Sequence, residues 1–344
     1  MTSIVPDFSA LRVAVVGDLV ADHYLYGEPT RLSREAPVMV LRHRGEELGA
    51  GGAANAARNL RSLGAQVRAL GVVARDKNGR ELRALLERDG IDVDGVLAVE
   101  DWLTPTKTRV LGADPGRTPQ HVLRIDREPD GAPSESVRAR MAEQLLDLAG
   151  EVDAVLLSDY GYGLLDAALA EAARGLRAAG AVVVLDPRRR FEPFHGLSAI
   201  TPNLGELALA ARVAPDELEN GADLGNGATI AHAAEAVLAR VAPELLLVTL
   251  GNRGMQLFAR GAPALAVPAA GSEAVDVSGA GDTAAAAFTL ALAAGLDGAH
   301  AMRLANAAAG VVVMEPGAAA CRLDRLRSAL ASAPWPGQVG SVRA

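Results

Sequence analysis

The chain has 344 residues, 50% of them hydrophobic, a formal net charge of −8 and a single cysteine. That length and apolar content suffice to bury a large core. The acidic balance excludes a general attraction to nucleic acid, though a local basic cluster such as Arg188–Arg190 could still hold a phosphorylated small molecule. The lone Cys321 excludes an internal disulfide framework and reads as a small buried hydrophobe in a reducing compartment.

With aromatics at 3%, the core must be built from Ala, Val and Leu. The opening MTSIVPDFSALR lacks the basic head and apolar stretch of a secretory signal. The charge-free run Thr283–Leu296 is too short to span a bilayer. The expectation is a cytoplasmic protein without a membrane partner.

In chain order, residues 12–17 read as a buried strand. Residues 22–48 are polar, and the alternation in PVMVLRHR predicts antiparallel strands. Helical spacing follows over 53–65 and 79–90, each ending near Gly. Residues 96–126 again carry strand-like runs, TKTRVL and HVLRID, separated by turn residues. These two excursions, about 19–48 and 96–128, are expected to pair into one small sheet outside the main layers, as a lid would. From 151 onward, AVLLS (154–158), VVVLD (182–186) and LLLVT (245–249) alternate with helical segments up to a last helix near 322–332. Such alternation predicts one large α/β domain, with room for a smaller appendage. The remainder, 331–344, is rich in Pro, Gly and Ser and reads as a mobile tail.

The chemistry concentrates in DVSGAGDTAAAAFTLALAAG, residues 276–295. Gly279 and Gly281 allow a tight turn whose N–H groups approach a ligand closely, and a helix starts at once. Its free N–H groups and positive dipole end favour a phosphate or developing negative charge. Asp282 would repel phosphate unless it has another task. It either accepts the proton of an attacking hydroxyl or serves as an N-cap. No GxxxxGK[ST] occurs, which argues against a P-loop. Neither GAGD nor GAGGAANAARNL (49–60) fits the dinucleotide fingerprint, because GAGD lacks the third glycine and comes late, and the other follows a lid segment.

VVGDLVADHYLYG (15–27), RLSREAPVMV (31–40), GAGGAANAARNLRSLGA (49–65), LSDYGYG (157–163), TPNLGEL (201–207), VTLGNRG (248–254) and DVSGAGDT (276–283) follow one another in an order that resembles the ribokinase-like, PfkB-type sugar kinases. The resemblance covers about 11–330. It implies a three-layer α/β/α sandwich with a small β-sheet lid. RLSREAPV, TKTRVL, LRID, LSDY and TPNL are most similar to the kinase domain of heptose-phosphate enzymes, which phosphorylate D-glycero-D-manno-heptose 7-phosphate at O1 with ATP.

By that resemblance Asp282 is the catalytic base, and Gly279, Ala280 and Gly281 supply anion-hole amides. Asp276 corresponds to a position that helps hold a monovalent cation such as K+; capping a turn is its plain alternative. Asn203 and Glu206 match an N-x-x-E element that organises Mg2+ and phosphate, Glu206 through water; read locally, they are a helix start with Glu in its first turn. Thr249, Gly251 and Gly254 match the element near the ATP phosphates and nucleoside, and Asn306 a position near the adenine.

On the acceptor side, Asp18 and Asp22 follow the first strand, where two carboxylates can bind adjacent sugar hydroxyls. Gly51 and Gly52 permit close approach of sugar to backbone, and Asn55 offers both donor and acceptor. Lys107, Arg109 and Arg124 could clamp a second phosphate, Lys107 and Arg109 sharing a strand face. Two departures bear on specificity: heptose-phosphate kinases often read SDYxKG and DPK, whereas Tyr162 and Arg188 stand here. Asp159 is retained. Three hypotheses remain: a heptose 7-phosphate kinase, a PfkB-type kinase for another sugar, sugar phosphate or nucleoside, and a catalytically silent binding protein. A homodimer through the lid is expected, because a small sheet leaves edges to cover.

Overall fold

The structure, a computed structural model, describes residues 5–114, 116–117, 119–189, 191–215, 218, 228–270, 275–315, 317–332 and 340–341. β1 (Arg12–Gly17) sits inside the main sheet and is buried from Val13 onward. Val13 and Val15 enter one hydrophobic core, and Ala14 and Val16 enter the other. β8 (Ala154–Ser158) divides in the same way, with Ala154 and Leu156 on one side and Val155 and Leu157 on the other. A strand covered on both faces has no polar side, which is why these segments read as unbroken apolar runs.

The main sheet runs β14 (Gly340–Ser341), β13 (Leu265–Val267), β12 (Met255–Phe258), β11 (Leu245–Thr249), β10 (Ala199–Ile200), β9 (Val182–Asp186), β8, β1, β4 (Gln66–Ala74), β5 (Asp92–Val99). Pairing is parallel from β11 to β5 and antiparallel across β12, β13 and β14. Helices α1 (Ala53–Ser62), α2 (Lys77–Arg88), α7 (Ala280–Ala293), α8 (Gly298–Val312) and α9 (Leu323–Ser332) cover one face. The other face is covered by α3 (Glu135–Leu146), α4 (Ala167–Ala178), α5 (Leu204–Ala211) and α6 (Ala228–Val241). This is the expected three-layer sandwich.

A second sheet runs β3 (Met39–Gly52), β2 (Leu19–Leu32), β6 (Thr106–Gly112), β7 (Gln120–Arg127). The two excursions do pair into one small sheet, through the parallel β2–β6 contact. Their expected bounds need correction at two points. Residues 96–99 belong to β5, which pairs with β4 in the main sheet, and β3 continues to Gly52 instead of stopping at 48. Most of the tail lies outside the described residues; Gly340–Ser341 pair with β13, so that dipeptide is sheet edge. Arg190, the last of the basic cluster, also lies outside them. Among the described residues no helix is long and apolar enough to cross a membrane.

The chain leaves β1 for neighbours on opposite sides, β4 and β8. A parallel sheet opens a crevice at such a switch point, beyond the carboxyl ends of its strands. Asp18, Asp159 and Asp186 all stand at those ends, just after β1, just after β8 and last in β9.

Candidate active site

Asp18 joins β1 to β2 and is 1% exposed. Its Oδ2 accepts from the backbone N–H groups of Tyr160 (2.9 Å) and Tyr162 (3.1 Å), while its buried Oδ1 has no hydrogen-bond partner among the described residues. Burial and then the charge of Asp159 push its carboxyl up to about 6, against the lowering effect of those N–H donors. Gly52 turns the chain here with φ 58°; a Cβ on it would lie 2.6 Å from the Asp18 carbonyl oxygen. A Cβ on Gly51 would lie 2.9 Å from the Asp22 carboxylate. Both glycines therefore let β3 close on the two acidic residues after β1.

Asp282 occupies the first turn of α7, behind Gly279 in the left-handed conformation at φ 78°. It is 4% exposed, but its carboxylate is held by two donors, Asn55 Nδ2 to Oδ2 at 2.8 Å and Tyr160 Oη to Oδ1 at 2.7 Å. Burial raises its carboxyl to about 6, and the Asn55 and Tyr160 hydrogen bonds restrain that rise. Asp22, after β1, pushes it further up and Lys107, on β6 of the small sheet, pushes it down. Such a group is ionised at neutral pH yet can take a proton. Asp282 is not an N-cap: Gly279 holds that position, with no side-chain capping bond. Ala280 N–H turns back to Val277 O at a long 3.3 Å, whereas a Cβ on Gly281 would meet open space.

On the other side of this turn lies a cleft of about 900 Å³. It is lined by Ala280, Gly281 and Ala284 of α7 and by Asn203, Thr249, Gly251, Gly254 and Asn306, among others. The sequence-predicted nucleotide residues therefore converge, with Glu206 just outside. Gly254 is required by geometry: its φ is 89°, and a Cβ would come 2.0 Å from Val267 O. Asn306 donates to Pro268 O at 2.8 Å, fixing one wall. Asn203 and Glu206 form a reciprocal capping box at the start of α5, each accepting from the other's backbone N–H at 2.9 Å. The second Glu206 oxygen reaches Arg188 at 3.3 Å. Burial raises the Glu206 carboxyl despite these partners.

The three expected cations are differently placed. Arg109 is paired with Asp22 at 2.6 Å, both nearly buried, and lies over the Tyr24 ring. Arg124, exposed, pairs with Asp126 at 2.8 Å. Lys107 stands 5.4 Å over the Tyr160 ring, and its charge reaches Asp282. Asp22 and Asp126 thus each occupy one cation of the proposed clamp. Tyr162, at the position of the missing Lys, donates to Glu128 at 3.1 Å. Asp276 accepts from Ser278 N–H (2.8 Å) and Gly317 N–H (2.9 Å). Burial opposes its ionisation, and those donors outweigh it, keeping its carboxyl below the ordinary range.

Tyr160 and Asp186 escaped sequence reasoning. Tyr160 lies in LSDYGYG, but only the tertiary fold brings its hydroxyl to Asp282, 122 positions away. Asp186 ends VVVLD, a carboxylate at the C-terminal end of a parallel strand, which was a usable signal. It accepts from Thr201 Oγ1 at 2.8 Å, and burial followed by the charges of Asp282 and Glu206 raises its carboxyl well above the ordinary range. Among the described residues no three His, Cys, Asp or Glu form a ready metal cluster.

This fold recurs in solved kinases. Arabidopsis thaliana ribokinase, complexed with ribose and ATP, superposes with a TM-score of 0.70 at 21% identity, covering 93% of this chain and 99% of that one. Phosphofructokinase-2 from Escherichia coli, in complex with potassium, gives 0.72 at 19% identity, covering 93% and 98%. The chain belongs to the pfkB family of carbohydrate kinases, whose pattern matches residues 10–325. That family match defines the class as a phosphotransferase with an alcohol group as acceptor. Its sequence is 39% identical to the bifunctional protein HldE of Magnetococcus marinus over 94% of this chain, and 37% identical to that of Desulfatibacillum aliphaticivorans over 95%. The chain spans 64% of the length of each of these relatives, less than two thirds.

Proposed function

We propose that this carbohydrate kinase transfers the γ-phosphoryl group of ATP to a sugar-phosphate hydroxyl, O1 of D-glycero-D-manno-heptose 7-phosphate, with Asp282 as general base. The observation that carries the reading is the position of Asp282, a buried carboxylate gripped by Asn55 and Tyr160 between the acidic residues after β1 and the turn bordering the cleft. The similarity to HldE supports the heptose acceptor.

The acceptor is bound by Asp18, whose unpartnered Oδ1 suits a sugar hydroxyl, with Asp22, Asn55 and the backbone at Gly51 and Gly52 around it. Asp282 orients the attacking hydroxyl and receives its proton, and the proton remains on that carboxylate until product leaves. The amides of Gly279 and Gly281, with Ala280 after a small shift away from Val277, receive the charge on the transferred group. ATP lies in the cleft of Thr249, Gly251, Gly254 and Asn306.

The charge of Glu206 raises the proton affinity of the buried Asp186, and two carboxylates with Asn203, which lines the cleft, are a donor set that suits Mg2+; Glu206 and Asp186 would hold it, Glu206 through water, with Asn203 alongside. The ion supplies neutralisation of phosphate charge. Asp276, kept ionised by its backbone donors, is the candidate for a monovalent cation such as K+. The small sheet acts as a lid on the 11–330 kinase domain, excluding water on closure. The assembly we propose is a homodimer through that lid.

One observation favours a second reading. With Arg109 held by Asp22 and Arg124 by Asp126, Lys107 is left of the three to meet an acceptor phosphate, so a PfkB-type kinase for another sugar, sugar phosphate or nucleoside is the alternative, an unphosphorylated acceptor being the form this observation favours. The test is ATP consumption by purified protein with heptose 7-phosphate, fructose phosphates, ribose, fructose and nucleosides. Turnover with heptose 7-phosphate is expected. Stimulation by unphosphorylated acceptors alone rejects the phosphate site and selects the second reading.

A further inference from the structure

Asp282 takes a hydrogen bond from Asn55, and an amide side chain can point either way. If Asn55 were reversed, its carbonyl oxygen would face the carboxylate and repel it. What fixes the amide lies one helical turn further along α1. Asn59, fully buried, donates through Nδ2 to Asn55 O (3.0 Å) and, at a longer 3.3 Å, to Asn55 Oδ1. Its own Oδ1 accepts from Thr283 Oγ1 at 3.0 Å and from the backbone N–H of Cys321 at 2.8 Å. A backbone N–H can only donate. Cys321 therefore identifies which end of Asn59 is oxygen, Asn59 in turn identifies which end of Asn55 is oxygen, and the remaining NH2 is aimed at Asp282.

We propose that Asn59 is a positioning residue: it carries hydrogen-bond polarity from the backbone at Cys321 through Asn55 to the carboxylate of Asp282. The proposal rests on the reading of Asp282 as the base. Neither Asn59 nor Cys321 is among the residues placed around the acceptor, and Asn59 reaches that site only through Asn55, whose amide it turns toward Asp282, so the effect belongs to the step in which Asp282 acts. Gly279 completes the arrangement: a Cβ there would lie 2.5 Å from Asn55 Nδ2, so the glycine also leaves the amide its place.

The test is steady-state kinetics with ATP and the acceptor selected by the screen above. Asn59→Asp is nearly isosteric and keeps an oxygen for Cys321 and Thr283; because burial favours the protonated acid, which can still donate, it is compared at the alkaline end of the pH profile, where the ionised Asp cannot donate to Asn55. Asn59→Ser keeps an acceptor near Cys321 and is too short to reach Asn55 Oδ1. Each is expected to lower kcat by about tenfold to a hundredfold, the scale on which outer hydrogen-bond partners act on the group they orient, with both KM values nearly unchanged. In an Asn55→Ala background, Asn59→Asp should cost nothing further in kcat, because the relay is already cut. A folded Asn59→Asp or Asn59→Ser enzyme with wild-type kcat overturns the proposal, as do losses that add in the double variant. Unchanged turnover in Asp282→Asn would remove the base itself; strong dependence on Asp282 with an indifferent Asn59 removes only the relay.

Discussion

At the scale of single residues, the site is governed by one opposition: Asp282 is buried, which disfavours its charge, and two donors make the charge tolerable. Removing one donor should show this. Tyr160→Phe deletes a hydrogen bond to the anion, so the acidic limb of kcat/KM should move to higher pH than in wild type; a limb that stays put or moves down contradicts the assignment. Stability gives an independent check. A carboxyl raised from 3.8 to about 6 binds its proton more tightly folded than unfolded, so its contribution is full below 3.8 and lost as pH rises through about 6. At pH 8 the buried charge costs up to about 3 kcal/mol. Asp282→Asn should therefore be more stable than wild type in denaturant unfolding at pH 8, and the gain should shrink toward pH 4. Of these residues, Asp282 was legible because GAGD sits at a helix entrance. Tyr160 and Asn59 were not, because the partners that orient them, Asp282 for the first and Thr283 and Cys321 for the second, are more than a hundred positions away and no local pattern marks them.

At the scale of elements, α7 matters through its first turn and its run of alanines. Ala284–Ala287 are at most 1% exposed, which brings the helix close to its neighbours in the sandwich. The two glycines of the turn differ in kind. Gly279 has φ 78° and contacts Asn55, whereas Gly281 has ordinary φ and faces open space. Gly279→Ala should destabilise the protein by at least about 1–2 kcal/mol, from the left-handed backbone alone, and depress kcat. Gly281→Ala should leave stability equal or higher, since Ala suits a helix, yet raise the KM for ATP by placing a methyl group at the cleft. Thermal unfolding and ATP titration on both variants separate the two. The α5 capping box was legible from TPNLGEL as a helix start; its Arg188 contact, bridging from the segment after β9 to α5, was not.

At the scale of the whole molecule, the two-sided core was legible because parallel strands buried on both faces leave unbroken apolar runs. The small sheet was legible from alternation in PVMVLRHR. Its bounds were not, because β5 carries much the same alternation as a lid strand and only its pairing with β4 places it in the main sheet. On β7, Leu123 and Ile125 are 48% and 52% exposed on the face opposite the register partners of Lys107 and Arg109. If that face joins two copies, Leu123→Asp combined with Ile125→Lys should convert a dimer to a monomer in sedimentation velocity. A wild-type monomer across micromolar concentrations would exclude the lid-mediated dimer.

The account depends most on the carboxylate of Asp282, and single-turnover phosphoryl transfer with wild type and Asp282→Asn measures it directly. The expected result is a loss of about 10²–10⁴-fold in the Asn variant at neutral pH, with ATP binding retained, and a wild-type rate that falls as pH drops through about 6. A folded Asp282→Asn enzyme that transfers phosphoryl at the wild-type rate would contradict it.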